Sequence, residues 1–552
     1  MIIMLKKIKT IFILISLVTI TFSSLSFTDS YFEISKHLDI FTTLYKELNT
    51  FYVDETDPGK LMKEGIDNML KSLDPYTTYI PESEIEDFKF MTTGQYGGIG
   101  AIITKRKNYV YISEPYEGYP AQKAGLMAGD KILEINGKSA EGKTTEEVSK
   151  ILKGQPNTNV SLKIERSSLT SPFDVTFKRE KVSVKSVSYA GFLGNEIGYV
   201  KLRSFTRGCS NDLKNAIQKL KDEKNLKGLI LDLRNNPGGL LNESVDMVNL
   251  FVPKGEEVVK TKGKIKSWEK TYFAKNQPLD TDVPLVVLIN SASASASEIV
   301  SGAIQDLDRG VVIGQRSFGK GLVQQTRKLS YNAQLKLTVA KYYIPSGRCI
   351  QSVNYNNRND DGSIGKVPDS LKTEFRTRNG RKVYDGGGIE PDIIVDKESV
   401  SNIILSLYRE RLFFDFATEY RHKHENITNN FKFDETSYLS FKDYISDKKY
   451  DYKTKTEESF EDFKEKAKNE KYFEEIASDY QSLLDKLKLN KKDDLEKNKQ
   501  KVCEILTEEI VSRYTYQKGR IKSSLEFDKD VKRAIEILND KQEYENIISG
   551  TK

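Results

Sequence analysis

Hydrophobic positions follow two different spacings in the first third of the chain. Within residues 30–93, positions such as Phe41, Leu44 and Leu48 follow the three-to-four-residue repeat of an amphipathic helix. Within residues 94–180, short runs rich in β-branched residues are separated by glycines, which is typical of strands and turns. The pattern therefore predicts an N-terminal helical region followed by a small β domain.

Longer apolar runs begin after this β domain. Segments 228–233 and 283–289 are almost entirely apolar, as expected for strands that are covered on both faces. Amphipathic helices are predicted at 210–222 and 297–307. Alternating strands and helices indicate an α/β layered core over residues 185–397.

The remaining segment, residues 398–552, reads as helical and highly charged, with Lys and Glu dense between 445 and 502. We interpret it as a solvated helical extension. An arm that binds a partner or another copy of the chain is the alternative.

The N-terminus has the pattern of an export signal. Lys6, Lys7 and Lys9 precede an apolar run at 11–18, and small residues follow. We expect residues 1–27 to be a signal peptide or an uncleaved N-terminal anchor, and the protein to be exported to the periplasm or cell envelope. An uncleaved segment would associate it with the inner membrane.

Composition narrows the function. Hydrophobic residues make up 38% of the chain, and the formal net charge is only +6, so no nucleic-acid partner is expected. The cysteines, Cys209, Cys349 and Cys503, are too few and too widely spaced for a disulfide framework or a thiolate zinc site. We expect no metal and no cofactor.

A serine-rich turn follows the predicted strand at 283–289. The run 291–299 reads Ser-Ala-Ser-Ala-Ser-Ala-Ser-Glu-Ile and opens a predicted helix. A turn between strand and helix presents side chains at the carboxyl edge of a sheet, where α/β proteins place their sites. Ser295 is therefore a candidate nucleophile. Ser295 and Glu298 also have the spacing of a helix capping box, so a purely structural role is the alternative.

A single lysine, Lys320, lies between two glycines and beside apolar residues. A lysine packed among apolar groups has a lowered pKa, and its neutral amine can take a proton from a serine hydroxyl. If the chain is extended there, Lys320 and Gln324 point to the same face, and Gln324 can hold the amine by a hydrogen bond. An ordinary exposed lysine in a glycine loop is the alternative.

A glycine-rich turn ends the strand at 228–233. Its sequence over 232–240 is Asp-Leu-Arg-Asn-Asn-Pro-Gly-Gly-Leu, a poor match to a phosphate-binding loop. The backbone N–H of Gly238 or Gly239, together with that of Ala296, can form an oxyanion hole. A structural turn is the alternative.

These motifs resemble those of the C-terminal processing, or tail-specific, peptidases. The resemblance covers roughly residues 30–397 and rests on four motifs in the family's order, the fourth being Gly-Gly-Gly-Ile-Glu-Pro-Asp at 386–392. It implies a serine endopeptidase with a Ser-Lys catalytic pair.

The resemblance also implies roles for single residues. Ser295 corresponds to the nucleophile, Lys320, 25 positions later, to the general base, and Gln324 to its partner. Asp306 corresponds to an aspartate that some members use as a catalytic auxiliary. Family members that dimerise through N-terminal helices make a homodimer an expectation for this chain.

The histidines agree with a Ser-Lys pair. His37, His422 and His424 all lie outside residues 185–397, so a Ser-His-Asp triad has no source in the core.

Residues 94–180 resemble a PDZ domain. Gly97, Gly98, Ile99 and Gly100 match the loop that binds a terminal carboxylate, with the peptide added to the sheet as an extra strand. The expected fold is thus α/β multidomain: an N-terminal helical region, a PDZ-like β domain, an α/β layered peptidase core and a charged helical C-terminal extension.

The function implied is cleavage of protein or peptide substrates near their C-termini. A PDZ-type scaffold on an inactive core and an acyl-transfer enzyme for small molecules are the alternatives. The intact residues Ser295, Lys320 and Gln324 argue against the first, and the carboxylate-binding loop argues against the second.

Overall fold

A computed structural model describes residues 31–194, 196–355, 365–428, 430–491 and 493–551. The predicted signal segment, residues 1–27, lies outside these ranges. Within them, no helix combines the length and the apolar character needed to cross a bilayer. The chain divides into two compact units, residues 1–79 and 80–552.

The first unit is helical in its described part. Residues 31–51 form one helix and Pro58–Lys71 another, before a strand begins at Thr78. The Asp57 side chain caps the second helix by accepting a hydrogen bond from the N–H of Lys60. The first helix carries apolar side chains that are 42–61% exposed and recur at helical spacing: Ile34, Leu38, Phe41 and Leu48.

The second unit begins with the helix Ile85–Thr93 and a β domain. A two-stranded ribbon, Gln95–Gly98 with Glu180–Ser183, closes the ends of this domain. Its main sheet is antiparallel, and the edge strand Lys138–Ser139 pairs with its third strand. In spatial order the sheet contains Ala101–Arg106, Tyr109–Pro115, Lys131–Ile135, Asn159–Glu165 and Phe173–Lys178.

Two helices complete the β domain, Pro120–Lys123 and Thr145–Leu152. Thr144 and Glu147 form a capping box at the start of the longer helix, whose apolar face packs on the sheet through Val148 and Leu152.

The central sheet lies in the next segment. An antiparallel edge strand precedes five parallel strands. In spatial order they are Val187–Leu193, Ile197–Leu202, Gly228–Asp232, Leu285–Ile289, Val311–Gly314 and Ile393–Ile394. Because side chains alternate along a strand, Leu229 and Leu231 face one side and Ile230 the other.

Each face of the central sheet is covered by helices. Helices Cys209–Glu223, Leu241–Val248 and Ala296–Asp306 cover one face. Helices Lys529–Asn539 and Lys541–Ser549 cover the other. The result is a three-layer core, in which a parallel sheet is buried on both sides.

A further sheet extends from the core beside the helix Ala296–Asp306. It contains the strands Glu257–Gly263, Lys270–Phe273, Leu322–Lys328 and Gln334–Tyr343. A short ribbon, Glu374–Arg376 with Lys382–Tyr384, lies later in the chain.

The C-terminal helices correct the expectation of a solvated extension. Part of them forms its own apolar core, which includes Phe413, Phe416, Phe441 and Leu506. This core is built from helices Asn402–Arg409, Leu412–Lys423, Glu435–Ile445, Asp494–Lys497 and Lys499–Ser524. Helices Lys455–Asn469 and Phe473–Lys491 form a hairpin beside it.

The same helical region also binds the β domain. Arg106 pairs with Asp415 at 2.7 Å, and Arg520 pairs with Glu114 at 3.1 Å. Together with the cover on the central sheet, these contacts make the C-terminal helices an integral part of the second unit.

Candidate active site

The candidate nucleophile lies where the strand Leu285–Ile289 turns into the helix Ala296–Asp306. Ser295 has φ 56° and ψ −112°, a backbone conformation that L-residues rarely adopt. Such strain is stored at functional sites, where the surrounding structure holds it in place. The buried Ser293 fixes the preceding turn, because its hydroxyl donates to the carbonyl of Leu233 at 2.9 Å.

Backbone groups close the start of this helix. The N–H groups of Glu298 and Ile299 both donate to the backbone carbonyl of Ser295, at 2.8 and 2.9 Å. Ser295 and Glu298 form a capping box at the start of this helix, in which the N–H of Ser295 donates to the Glu298 carboxylate at 2.7 Å. The structural role expected from the sequence is therefore present, whatever chemistry the serine also performs.

The glycine turn, residues 235–239, packs directly on the candidate nucleophile, Ser295. A Cβ on Gly238, which has φ +96°, would lie 2.7 Å from the carbonyl oxygen of Ala294 and 2.9 Å from the nitrogen of Ala296. Only glycine permits this approach. The turn is tied to the serine by Asn236, whose carbonyl accepts from Ala294 N–H at 3.1 Å and from the Ser297 hydroxyl at 2.9 Å.

The three candidate oxyanion donors differ in their present bonding. The N–H of Gly238 donates to the side-chain oxygen of Asn236 at 2.9 Å. The N–H groups of Gly239 and Ala296 have no acceptor among the residues that the structure describes. Gly239 and Ala296 are thus the pair available to a ligand.

The lysine loop, residues 315–321, is joined to the candidate nucleophile, Ser295, by a buried carboxylate. Glu298 is fully buried and accepts four hydrogen bonds. One oxygen accepts from the N–H of Ser295 at 2.7 Å and of Lys320 at 2.9 Å. The other accepts from the Ser317 hydroxyl at 2.5 Å and from Gly319 N–H at 2.6 Å.

Glu298 therefore holds the backbones of Ser295 and Lys320 on a single oxygen atom. Burial raises the pKa of the Glu298 carboxyl, and the four donors limit that rise. The sequence pattern indicates only a capping role for Glu298. Its partners Gly319 and Lys320 lie 21 and 22 positions away, so no local signal reveals the second role.

Lys320 and Gln324 lie near the start of one strand. Lys320 is half-buried just before the strand Leu322–Lys328, and Gln324 lies within that strand beside a β-bulge. The Gln324 amide donates to the Thr338 hydroxyl at 3.2 Å.

Ser295, Lys320 and Gln324 line one cleft of about 670 Å³. Its walls also include the glycine turn and Ala296, and none of the described residues that line it is a histidine. Apolar side chains cover much of the rest: Phe88, Phe90, Leu241, Ile299, Leu322 and Val323.

Asp306 lies away from this cleft. It is the last residue of the helix that Ser295 opens, which places it about 16 Å along the helix axis from the serine. Its buried carboxylate pairs with the equally buried Arg348 at 2.8 Å and accepts from the N–H of Ser346 at 3.0 Å. The structure does not bring Asp306 to the candidate nucleophile.

The predicted carboxylate loop opens the β domain. Gly97 and Gly98 belong to the ribbon Gln95–Gly98, and Gly100 has φ +71°. A Cβ on Gly97 would lie 2.1 Å from the Gly154 carbonyl oxygen. Ile99 is buried in the core of the domain, and the strand Ala101–Arg106 that follows is an edge of its sheet.

Comparison with known proteins fits this geometry. Residues 196–357 match peptidase family S41, residues 111–166 match the PDZ domain, and residues 403–538 match the probable PDZ-protease C-terminal helical domain. The chain is 39% identical over 321 residues to a carboxy-terminal-processing protease of Bartonella bacilliformis, covering 58% of this chain and 73% of that protein. This chain belongs to the carboxy-terminal-processing proteases of family S41. It is a serine-type protease with a PDZ domain, and the expected fold class is confirmed.

Two further similarities were found. A probable CtpA-like serine protease of Staphylococcus aureus strain COL is 39% identical over 317 residues, covering 57% of this chain and 62% of that protein. Among solved structures, the photosystem II D1 C-terminal processing protease is 26% identical, covering 64% of this chain and 92% of that one, with a TM-score of 0.36.

Proposed function

We propose that this C-terminal processing serine protease uses Ser295 as nucleophile and Lys320 as general base. The observation that carries the proposal is the shared Glu298 oxygen, which fixes the backbones of both residues at the wall of one cleft. The direct hydrogen bond from the Ser295 hydroxyl to the Lys320 amine is part of the proposal.

The reaction is acyl transfer through a covalent intermediate. Neutral Lys320 takes the proton of the Ser295 hydroxyl, and the serine oxygen attacks the scissile carbonyl. The Lys320 ammonium then protonates the leaving amine, and a water activated by the same amine releases the acyl group. Gln324 orients the amine, and Asp306 takes no part in these steps.

The oxyanion of each tetrahedral intermediate is placed between the N–H groups of Gly239 and Ala296. Both are fixed by backbone geometry before the reaction, so they require no reorganisation as negative charge develops. Gly238 would have to release Asn236 to serve as a donor. We therefore assign Gly238 the role of allowing the close approach of the two turns.

The PDZ domain gives the preference for C-termini. We propose that the loop Gly97, Gly98, Ile99 and Gly100 binds the terminal carboxylate of a substrate. The substrate adds as a further strand to the open edge at Ala101–Arg106. Protein or peptide tails are thus the substrate class.

Location and assembly are proposed from the N-terminal part. Residues 1–27 would direct the chain out of the cytoplasm to the cell envelope and, if retained, hold it at the membrane. The exposed apolar stripe on the helix at 31–51 suits a second copy of that helix in a homodimer. We propose four functional segments after the signal: an N-terminal helical region at 30–93, the PDZ domain at 94–180, the peptidase core at 185–397 and the C-terminal helical region at 398–552.

Two alanine variants test the catalytic pair. We expect Ser295→Ala and Lys320→Ala each to lower kcat for cleavage of a tail peptide by about 10,000-fold without changing the circular dichroism spectrum. Ser291→Ala and Lys328→Ala are matched controls, because both residues are exposed in the same two segments. A serine-reactive probe should label the parent chain but not Ser295→Ala.

Near-normal turnover by Lys320→Ala would show that Lys320 is not the general base. Labelling at another serine would show that Ser295 is not the nucleophile. A parent chain that binds tails but never cleaves them would favour the scaffold alternative.

A further inference from the structure

Arg234 connects the glycine turn to the distant C-terminal helices. It lies directly before the turn that supplies the Gly239 N–H, and its side chain is only 11% exposed. Its guanidinium contacts three carboxylates, those of Asp232, Asp528 and Asp530.

All three guanidinium nitrogens of Arg234 donate hydrogen bonds in this cluster. Toward Asp232, Nε lies 3.0 Å and Nη2 2.7 Å from the two carboxylate oxygens. Toward Asp528, Nη1 and Nη2 lie 2.8 and 2.7 Å from its oxygens, and Nη1 also donates to Asp530 at 2.8 Å. Bidentate pairs of this kind fix the orientation of the guanidinium and are stronger than single hydrogen bonds.

The two C-terminal carboxylates are carried by a buried element. Asp528 caps the helix Lys529–Asn539 by accepting from the N–H of Val531 at 3.1 Å. Val531, Ala534 and Ile537 of that helix are fully buried against the central sheet. The carboxylates therefore reach Arg234 from a rigid support.

The cluster is coupled to the turn through the backbone. The N–H of Arg234 donates to Asp232 at 2.9 Å, and the next residue, Asn235, has φ 61°. The N–H of Asn235 donates to the Asn290 side chain at 3.0 Å, at the start of the serine-rich turn. A shift of Arg234 would thus move the entry to both turns.

We propose that Asp528 and Asp530 are positioning residues for catalysis, which act through Arg234 to hold the glycine turn against the nucleophile. The inference rests on the proposed oxyanion role of Gly239 and Ala296. It gives the C-terminal helical region a catalytic purpose besides covering the sheet.

The test uses the full chain with Asp528→Asn and Asp530→Asn combined. Asparagine keeps the helix cap but removes both charges. We expect kcat for a tail peptide to fall about tenfold to a hundredfold, KM to stay within about twofold, and labelling of Ser295 by a serine-reactive probe to slow in parallel with kcat. Asp528→Glu with Asp530→Glu should recover part of the loss.

Glu543→Gln is the matched control. It disrupts the Arg533–Glu543 ion pair, 2.9 Å long, which joins the helix that carries Asp530 to the next helix, Lys541–Ser549. Arg234→Lys is a second variant, in case the double asparagine variant does not fold. A lysine keeps the charge but cannot reach three carboxylates at once, so kcat should again fall with KM retained.

The outcomes separate the two ideas. A parent chain that does not cleave, or a Ser295→Ala chain that does, overturns the proposed function itself. A parent chain that cleaves while the asparagine variant and Arg234→Lys keep kcat within about twofold overturns the positioning role. An equal loss of kcat in Glu543→Gln also overturns it, because the effect is then general destabilisation.

Discussion

Substitution of Glu298 by glutamine tests whether one buried carboxylate joins the two loops that carry Ser295 and Lys320. The change preserves the length of the side chain and removes its charge. In the parent chain the two oxygens accept from Ser295, Ser317, Gly319 and Lys320. A glutamine has one acceptor oxygen, which can satisfy two donors, and an amide NH₂ that must face the other two.

The magnitude follows from this count. Two of the four donors lose their acceptor inside a fully buried site, and each unsatisfied buried group costs about 1–3 kcal/mol. The total expected loss in the free energy of unfolding is about 2–6 kcal/mol, a large part of the stability of an ordinary domain. Turnover should fall about 100-fold as the backbones of Ser295 and Lys320 separate.

Urea unfolding and steady-state cleavage of a tail peptide measure the two effects. Glu390→Gln is the control, because Glu390 pairs with Arg316 at the surface near the same loop and is 41% exposed. We expect that control to lose less than about 1 kcal/mol and no activity. Full stability and turnover in Glu298→Gln would refute the assignment of a joining role.

Two further predictions concern the glycine turn and the C-terminal helices. Gly238→Ala should lower kcat at least tenfold, because the added Cβ meets the turn that carries Ser295. Gly255→Ala is the control: Gly255 has nearly the same φ, +98°, but a Cβ added there meets no atom within 4 Å, so this variant should lose only about 1–2 kcal/mol of stability. Equal kcat values in the two variants would contradict the steric argument. Burial raises the pKa of Glu508 from 4.5 to about 7, so its contribution to stability is complete below about pH 4.5 and is lost as pH rises through about 7. Glu508→Gln should therefore be more stable than the parent at about pH 8, by up to about 3 kcal/mol, and much less so at about pH 5. Urea titrations of both proteins at the two pH values measure this difference in the free energy of unfolding. A difference that does not grow with pH would contradict the raised pKa of Glu508.

The sequence predicts the central strands and the helix Ala296–Asp306 well, because their apolar runs and small-residue turns are local signals. Segment 228–233 and the strand Gly228–Asp232 agree closely. The clustering of Ser295, Lys320 and the glycine turn in one cleft could also be anticipated, since all three follow strands of the core.

Other features depend on partners that are distant in the sequence. The apolar stripe of Val531, Ala534 and Ile537 is visible in the sequence, but nothing local says that it covers the central sheet rather than another helix. Asp306 could not be separated from the proposed catalytic residues without seeing the buried Arg348 beside it.

The late position of helices Lys529–Asn539 and Lys541–Ser549 sets an order of assembly. The last strand of the central sheet, Ile393–Ile394, is synthesised long before the helices that cover the sheet's second face. A chain that ends before these helices would thus contain every strand of the central sheet and the proposed catalytic residues, but one apolar face of the sheet would be uncovered. We expect a chain truncated before residue 529 to be proteolytically inactive, because one apolar face of its central sheet lacks the helices that cover it.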